Sequence, residues 1–218
     1  VTPRPRRQLI QRDDIAKATL AIIDAEGLSG LSLERIAEAL GVRAPSLYHH
    51  FPTKQDILAY TVSRILVDVR IPPDLPPTLS QEWLVQTCLA VRSEVLRHPN
   101  AVPLLATHFP RRLLTTAFER MSTRLLAIGI PVELHLMVFE AMERLLLGSV
   151  LAATARSTDA QPNDTLAADP RRHPVLDEAI RANKWNEEEL FAQTLRRFLI
   201  GTLADIDSET SYKQLSAG

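Results

Sequence analysis

Leu31-Ser32-Leu33-Glu34-Arg35-Ile36-Ala37-Glu38-Ala39-Leu40-Gly41-Val42, followed by Pro45 and then by Leu47-Tyr48-His49-His50-Phe51, is the stretch on which the fold turns. Ser32 offers a side-chain acceptor just before a run in which Leu33, Ile36, Ala37 and Leu40 share one face, the pattern of a short capped helix. Gly41 ends it, since a residue without Cβ takes the positive φ of a tight turn at little cost. After three more residues Pro45 opens a new helical segment, because a proline in the first turn gives up only an N–H that had no partner. Two short helices joined by a glycine-containing turn are what a helix-turn-helix requires: the first crosses the DNA backbone and the second enters the major groove. Ala37 is small where the two must approach closely.

Working outward, Asp13 reads as the N-cap of a preceding helix whose apolar face carries Ile15, Thr19, Ile22 and Ile23 and which ends at Gly27. On the other side Thr53 caps a helix through Ile57, Tyr60 and Ile65 towards Val69, with Asp56 completing a capping box. Pro72, Pro73, Pro76 and Pro77 then break the chain and mark the seam between head and body, a polyproline recognition ligand being the other reading. The body shows helical periodicity near 80–97, 111–128, 131–156, 173–183 and 186–204, with a short helix near 100–106 and Pro131 placed to start the longest. Ser157 to Arg172 is polar, contains Pro162 and Pro170 and lacks periodicity, so a loop is expected there. No stretch alternates apolar and polar residues long enough for a sheet, and the expected class is all-α.

A chain of 218 residues has room for a small head and a larger, pocketed body. Its 45% hydrophobic and 23% charged residues are ordinary for a globular protein and exclude wholesale disorder. The net charge of −1 is split along the chain: residues 1–54 carry eight Lys/Arg against six Asp/Glu, and the remainder is net acidic. Arg4, Arg6, Arg7 and Arg12 precede any acidic residue and form a cationic arm suited to a phosphate backbone, or else a solubilising tail. The single cysteine, Cys88, cannot form an intrachain disulfide and reads as a small core residue. The chain carries no apolar stretch of signal-peptide length at its start and no run of about 18 apolar residues, so the expected setting is cytoplasmic, without membrane insertion.

The 31–42 string, together with Leu47 to Phe51 and Lys54, closely resembles the TetR family pattern from about Asp13 to Leu58. The resemblance continues more faintly in Leu146-Leu147-Gly148-Ser149-Val150-Leu151, which looks like the family's dimer helix. It implies a homeodomain-like three-helix DNA-binding domain over residues 1–58 and a helical regulatory, ligand-binding and dimerisation domain over 59–218. Arg43, Ala44, Pro45 and Ser46 fall at the exposed start of the recognition helix: an arginine there can grip guanine bidentately, and Ala44 or Pro45 can touch a thymine methyl. Tyr48, His49, His50 and Lys54 are similar to the family's phosphate-binding positions, with Ser32 and helix N-termini as further anchors. One residue departs from the pattern. The family usually has Ser or Thr where Arg43 stands, and arginine cannot accept the capping hydrogen bond, so the cap is lost or another acceptor supplies it.

The body carries the second half of the expectation, a homodimer that answers to a small apolar or amphipathic effector. From Leu134 to Leu151 apolar residues cover more than one stripe, so one side can pack on the protomer's own core and the other on a partner. Leu146, Leu147 and Val150, with Phe191, Leu195, Phe198 and Leu199 of the last long helix, are the candidates for a four-helix bundle across a twofold axis. Thr87, Val91, Leu105, Phe118, Met121, Leu125, Phe139 and Met142 are candidates for an apolar cavity, with His108, Glu140, Glu143 or Arg144 as polar anchors. The histidine and glutamate that hold tetracycline-bound magnesium in the family's founding member look replaced by Leu104 or Leu105 and by Ala152, so tetracycline is not the expected ligand.

Other chemistry finds little support. No glycine-rich phosphate loop, nucleophile elbow, metal-ligand helix or paired cysteine motif is present, so neither an enzyme nor a cofactor is expected. His49 and His50 point about 100° apart on a helix and do not converge on one metal ion. His135 and Glu140, five apart, also project in different directions. The competing reading is a dimeric helical scaffold or small-molecule-binding protein without DNA binding.

Overall fold

The computed structural model describes residues 10–159 and 168–215. Arg4, Arg6 and Arg7 of the expected cationic arm and the central part of the expected 157–172 loop lie outside the described residues. Among the described residues the regular elements are all helical: α1 (Arg12–Glu26), α2 (Leu33–Ala39), α3 (Lys54–Val67), α4 (Ser80–Leu96), α5 (Val102–Thr107), α6 (Thr115–Ala127), α7 (His135–Asp159), α8 (Pro174–Ala182) and α9 (Glu187–Leu215). Short 3₁₀ turns fill several junctions, and the segment after Gly41, Ala44–His49, is itself a 3₁₀ helix. The chain packs as two compact units, Val1–Val69 with Arg97–Thr115, and Arg70–Leu96 with Thr116–Gly218.

In the first unit α1 packs along α3, and α2 packs on the Ala44–His49 segment. Ile15 and Ile23 of α1, Ile36 of α2, Leu47, Phe51 and Ile57 are buried, each worth roughly 1.5–3 kcal/mol relative to exposure. The caps that define these helices are local. Ser32 Oγ accepts from the Arg35 N–H at 3.2 Å. Thr53 and Asp56 close a reciprocal box, Asp56 N–H to Thr53 Oγ1 at 3.2 Å and Thr53 N–H to Asp56 Oδ2 at 3.0 Å. Gly41 has φ +64°, as its turn requires.

The start of α1 differs from expectation. Gln11 is its N-cap, and the Gln11 N–H donates to Asp14 Oδ2 at 2.8 Å. Asp13 lies inside the first turn, where its carboxylate accepts from the Tyr60 hydroxyl at 2.6 Å. A partner 47 residues away takes the side chain that spacing alone assigned to the cap. The far end of α1 is tied to the turn before α5: Asp24 Oδ2 lies 2.8 Å from His98 Nδ1, and the Asp24 carbonyl accepts from Asn100 Nδ2 at 2.9 Å.

In the second unit α4, α7 and α9 pack on one another. Trp83 and Leu84 of α4, Val138 and Val150 of α7 and Leu195 and Leu199 of α9 are buried. Arg196 of α9 grips Glu82 of α4 with two hydrogen bonds of 3.0 and 2.9 Å, which hold the Glu82 carboxyl below its ordinary value. The proline-rich stretch is held down: Trp83 Nε1 donates to the Pro72 carbonyl at 3.3 Å, and Arg124 donates to the Leu75 carbonyl at 2.6 Å and to Asp74 at 3.0 Å. Two helix boundaries depart from expectation. Pro131 caps a 3₁₀ turn before α7 and not α7 itself, and the longest described helix is α9, which runs on to Leu215 and does not stop near 204.

Candidate nucleic-acid interface and ligand pocket

The segment after Gly41 is shaped by three local facts. Leu47 and Phe51 are buried and anchor it. Pro45 stands in its first turn. The Ser46 N–H donates to the Arg43 carbonyl at 2.8 Å. With its core side fixed, the segment turns Arg43, Pro45, Tyr48 and His49 outward, while Ala44, Ser46 and His50 are half-buried. Tyr48 is 53% exposed, a large apolar ring left in water with its hydroxyl free to meet a phosphate oxygen. Arg43 makes no side-chain cap. The alternative acceptor is its own carbonyl, and Pro45 removes the next donor, so the missing Ser or Thr leaves no orphan N–H at those positions.

The candidates therefore divide. Arg43, Pro45, Tyr48 and His49 share the exposed surface, with Ala44, Ser46 and His50 at its margin. Ser32 Oγ accepts the α2 cap hydrogen bond, which uses an acceptor lone pair and leaves its O–H donor for a phosphate oxygen. Lys54 donates through Nζ to the Leu31 carbonyl at 3.1 Å, which ties the first turn of α3 to the residue preceding the α2 cap. Arg12, read from sequence as part of an arm, lies at the start of α1 with its guanidinium over the rings of Phe51 and Tyr60, at 4.4 and 5.1 Å from their centroids. Sequence reasoning missed that stacking, because nothing local links Arg12 to Phe51.

The ligand-pocket candidates fall in both compact units. Leu105 is buried in the first unit, where His108 is half-buried and its Nδ1 lies 2.8 Å from Thr107 Oγ1. In the second, Thr87, Leu125 and Met142 are buried, and Val91, Met121 and Glu143 are half-buried. Phe118 and Phe139 meet with ring centroids 5.1 Å apart. The Thr87 hydroxyl is enclosed without a hydrogen-bond partner, a state that costs about 1–3 kcal/mol unless a ligand or water satisfies it. Glu140 accepts from Arg144 at 2.6 Å, one helical turn away. His135 is buried with Nε2 3.0 Å from the Ile130 carbonyl, a structural contact at the start of α7.

The dimer candidates need revision. Leu146, Val150, Phe191, Leu195 and Leu199 are all buried inside their own protomer, so they are spent on its core and offer no face to a partner. Leu147 and Phe198 are half-buried. Among the described side chains of the same two helices, the large apolar ones left exposed are Leu136, Met137, Leu151, Leu190 and Ile200. Sequence periodicity marks α7 as apolar on more than one side and gives α9 an apolar stripe, and the candidates it offers lie mostly on the buried side.

One buried charge had no sequence signal. Arg92 of α4 is 5% exposed, donates to Ser149 Oγ of α7 at 2.7 Å and lies 3.7 Å from Glu187 of α9. It stitches the three principal helices of the second unit. Cys88 is buried and its thiol is pushed up to about 12 by desolvation, the state of an inert core residue. Among the described residues no cluster of three or more His, Cys, Asp or Glu could hold a metal ion, and no helix is long and apolar enough to cross a membrane.

Comparison with known proteins bears on the same residues. The family model described as "Bacterial regulatory proteins, tetR family" matches residues 15–61, which span α1, α2, the Ala44–His49 segment and the first half of α3. Over 203 residues the chain is 28% identical to the tetracycline repressor protein class E of Escherichia coli, covering 90% of this chain and 92% of that protein. Among solved structures, ActR from Streptomyces coelicolor superposes with a TM-score of 0.75 both in its apo form and in complex with actinorhodin. The identity is 22%, over 90% of this chain and 96% and 98% of those chains. At that identity the likeness speaks for the fold.

Proposed function

Because the chain belongs to the tetR family of bacterial regulatory proteins, we propose that it is a ligand-responsive, sequence-specific transcriptional repressor that leaves its operator when a small molecule binds the body. As a family member it is a DNA-binding regulator and not an enzyme. The observation that carries the proposal is the outward row Arg43, Pro45, Tyr48 and His49, held on a segment pinned from behind by Leu47 and Phe51. Arg43 reads a guanine edge, Ala44 or Pro45 meets a thymine methyl, and Tyr48, His49 and His50 grip phosphate. Lys54 and Ser32 add phosphate contacts, besides the hydrogen bonds by which they orient the helices.

Residues 1–58 form the DNA-binding domain in this proposal, and 59–218 the regulatory, ligand-binding and dimerisation domain, working in the cytoplasm where operator DNA is found. A homodimer sets two heads about 34–36 Å apart to read half-sites one turn apart on one face of DNA. The effector is a small apolar or amphipathic molecule held by Thr87, Val91, Phe118, Met121, Leu125, Phe139 and Met142 of the second unit, with Glu140 or Glu143 as anchors. By linkage, an effector that weakens operator binding binds the operator-bound protein more weakly by the same factor. ActR, similar in fold, has been solved in complex with actinorhodin, which supports a small-molecule effector in this reading.

The test is selection from random duplex DNA at stated moderate salt, comparing wild type with Arg43→Ala and Tyr48→Ala, because phosphate contacts make affinity salt-dependent. A palindromic consensus, blurred by Arg43→Ala and weakened uniformly by Tyr48→Ala, is the expected result. Failure of the folded protein to enrich any sequence would overturn the proposal in favour of a ligand-binding scaffold.

A further inference from the structure

The first unit contains an open cleft of about 490 Å³ between Arg12, Asp56, Ala59 and Tyr60 on one side and Phe109, Pro110, Arg111, Arg112 and Leu113 on the other. Its walls supply two kinds of surface. Tyr60, Phe109, Pro110 and Leu113 are flat or apolar, and the lining also includes Arg12 and Arg112, with Arg111, which has a partner of its own, and one acid, Asp56. That carboxylate is already committed: Asp56 Oδ2 accepts from the Thr53 N–H at 3.0 Å and from its hydroxyl at 2.7 Å. The next nearest acid along the chain, Asp13, is likewise engaged, by the Tyr60 hydroxyl at 2.6 Å and by Arg64 at 3.7 Å. Arg12 lies over the Phe51 and Tyr60 rings. Among the described residues neither Arg12 nor Arg112 has an acidic partner.

We propose that this cleft is a binding site for a planar aromatic anion, such as an aryl carboxylate or arylsulfonate, separate from the effector pocket of the body. Charge complementarity selects the anion. A guanidinium laid on aromatic faces is already ordered and keeps its N–H edge available, so it gains charge-assisted hydrogen bonds with little further loss of freedom. The aromatic and proline wall takes the ring. An occupant would bridge the 109–113 segment to α1 and α3, and α3 starts five residues after His49 in the reading segment. The coupling to operator affinity rests on the proposed repressor function, whereas binding to the cleft does not.

The test titrates 1-naphthoate and its neutral isostere 1-naphthamide into the full chain by calorimetry, for wild type, Arg12→Gln, Arg112→Gln and the double variant. Wild type is expected to bind naphthoate about ten-fold or more tightly than naphthamide, and each single variant to lose about five-fold of the naphthoate affinity. The double variant should bind both probes alike. Arg112 is exposed, so Arg112→Gln keeps its fold, which circular dichroism confirms independently. Equal binding of the two probes by wild type, or naphthoate binding indifferent to both substitutions, overturns the site. Operator anisotropy with and without naphthoate is read separately: an unchanged operator affinity removes the coupling, and absence of operator binding removes the repressor reading while the cleft is still judged by the titration.

Discussion

Arg43 carries two roles that ordinarily compete, the N-cap of the reading segment and the leading side chain of its outward face. The structure separates them, because the Ser46 N–H is satisfied by the Arg43 carbonyl at 2.8 Å and Pro45 has no N–H to satisfy. Arg43→Ser is therefore expected to change unfolding free energy by less than about 0.5 kcal/mol, below the usual worth of a cap, while shifting which sequences are selected at one operator position. Urea unfolding and sequence selection on the same variant check both halves, and a stability gain near 1 kcal/mol would show that a donor was left orphaned. Residues whose partners are near in sequence were legible: Ser32, Thr53 with Asp56, and Gly41 were assigned from spacing and stand as assigned. Asp13 and Arg12 were not, because their partners Tyr60 and Phe51 belong to elements that arrive only on folding.

At the scale of elements, α1 is held at both ends by side chains from elsewhere in the first unit. Its start is tied to α3 through Asp13 and Tyr60, and its end to the turn before α5 through Asp24, His98 and Asn100. The second tie can be weighed by a double-mutant cycle. Asp24→Ala and His98→Ala should each cost about 1 kcal/mol, and their double variant should cost less than the sum by about 0.5–1 kcal/mol if the 2.8 Å contact is an energetic pair. Strictly additive losses in urea unfolding would reduce it to proximity. Helix number and order were readable because a 3.6-residue apolar period survives in any context, and so were α2 and α3 with their local caps. Helix ends were less so. The tail of α9 loses its apolar period after Thr202, so the pattern pointed to an end near 204 although the helix runs on to Leu215.

For the whole molecule, a helix apolar on two sides announces two partners without saying which side meets which. Leu195 and Ile200 of α9 show the difference, one fully buried and the other 55% exposed, both aliphatic and of similar size. Sequence patterning could not separate them, since the choice depends on where α4 and α7 lie, and the interface was accordingly drawn on the inner stripe. The structure makes the two positions distinguishable by experiment. Leu195→Asp places an unpaired carboxylate in the core of the second unit and is expected to cost at least about 4 kcal/mol, enough to abolish cooperative unfolding. Ile200→Asp puts its charge in water in the isolated protomer, so it should leave the helical circular dichroism intact while converting a dimer to a monomer in sedimentation. Operator affinity should then fall, and the dependence on salt should fall with it, as half of the phosphate contacts are lost from each binding event. If Ile200→Asp instead sediments as wild type and binds operator with an unchanged salt slope, the exposed stripe of α7 and α9 is not the twofold interface. Two heads could then be brought together only through another face of the body.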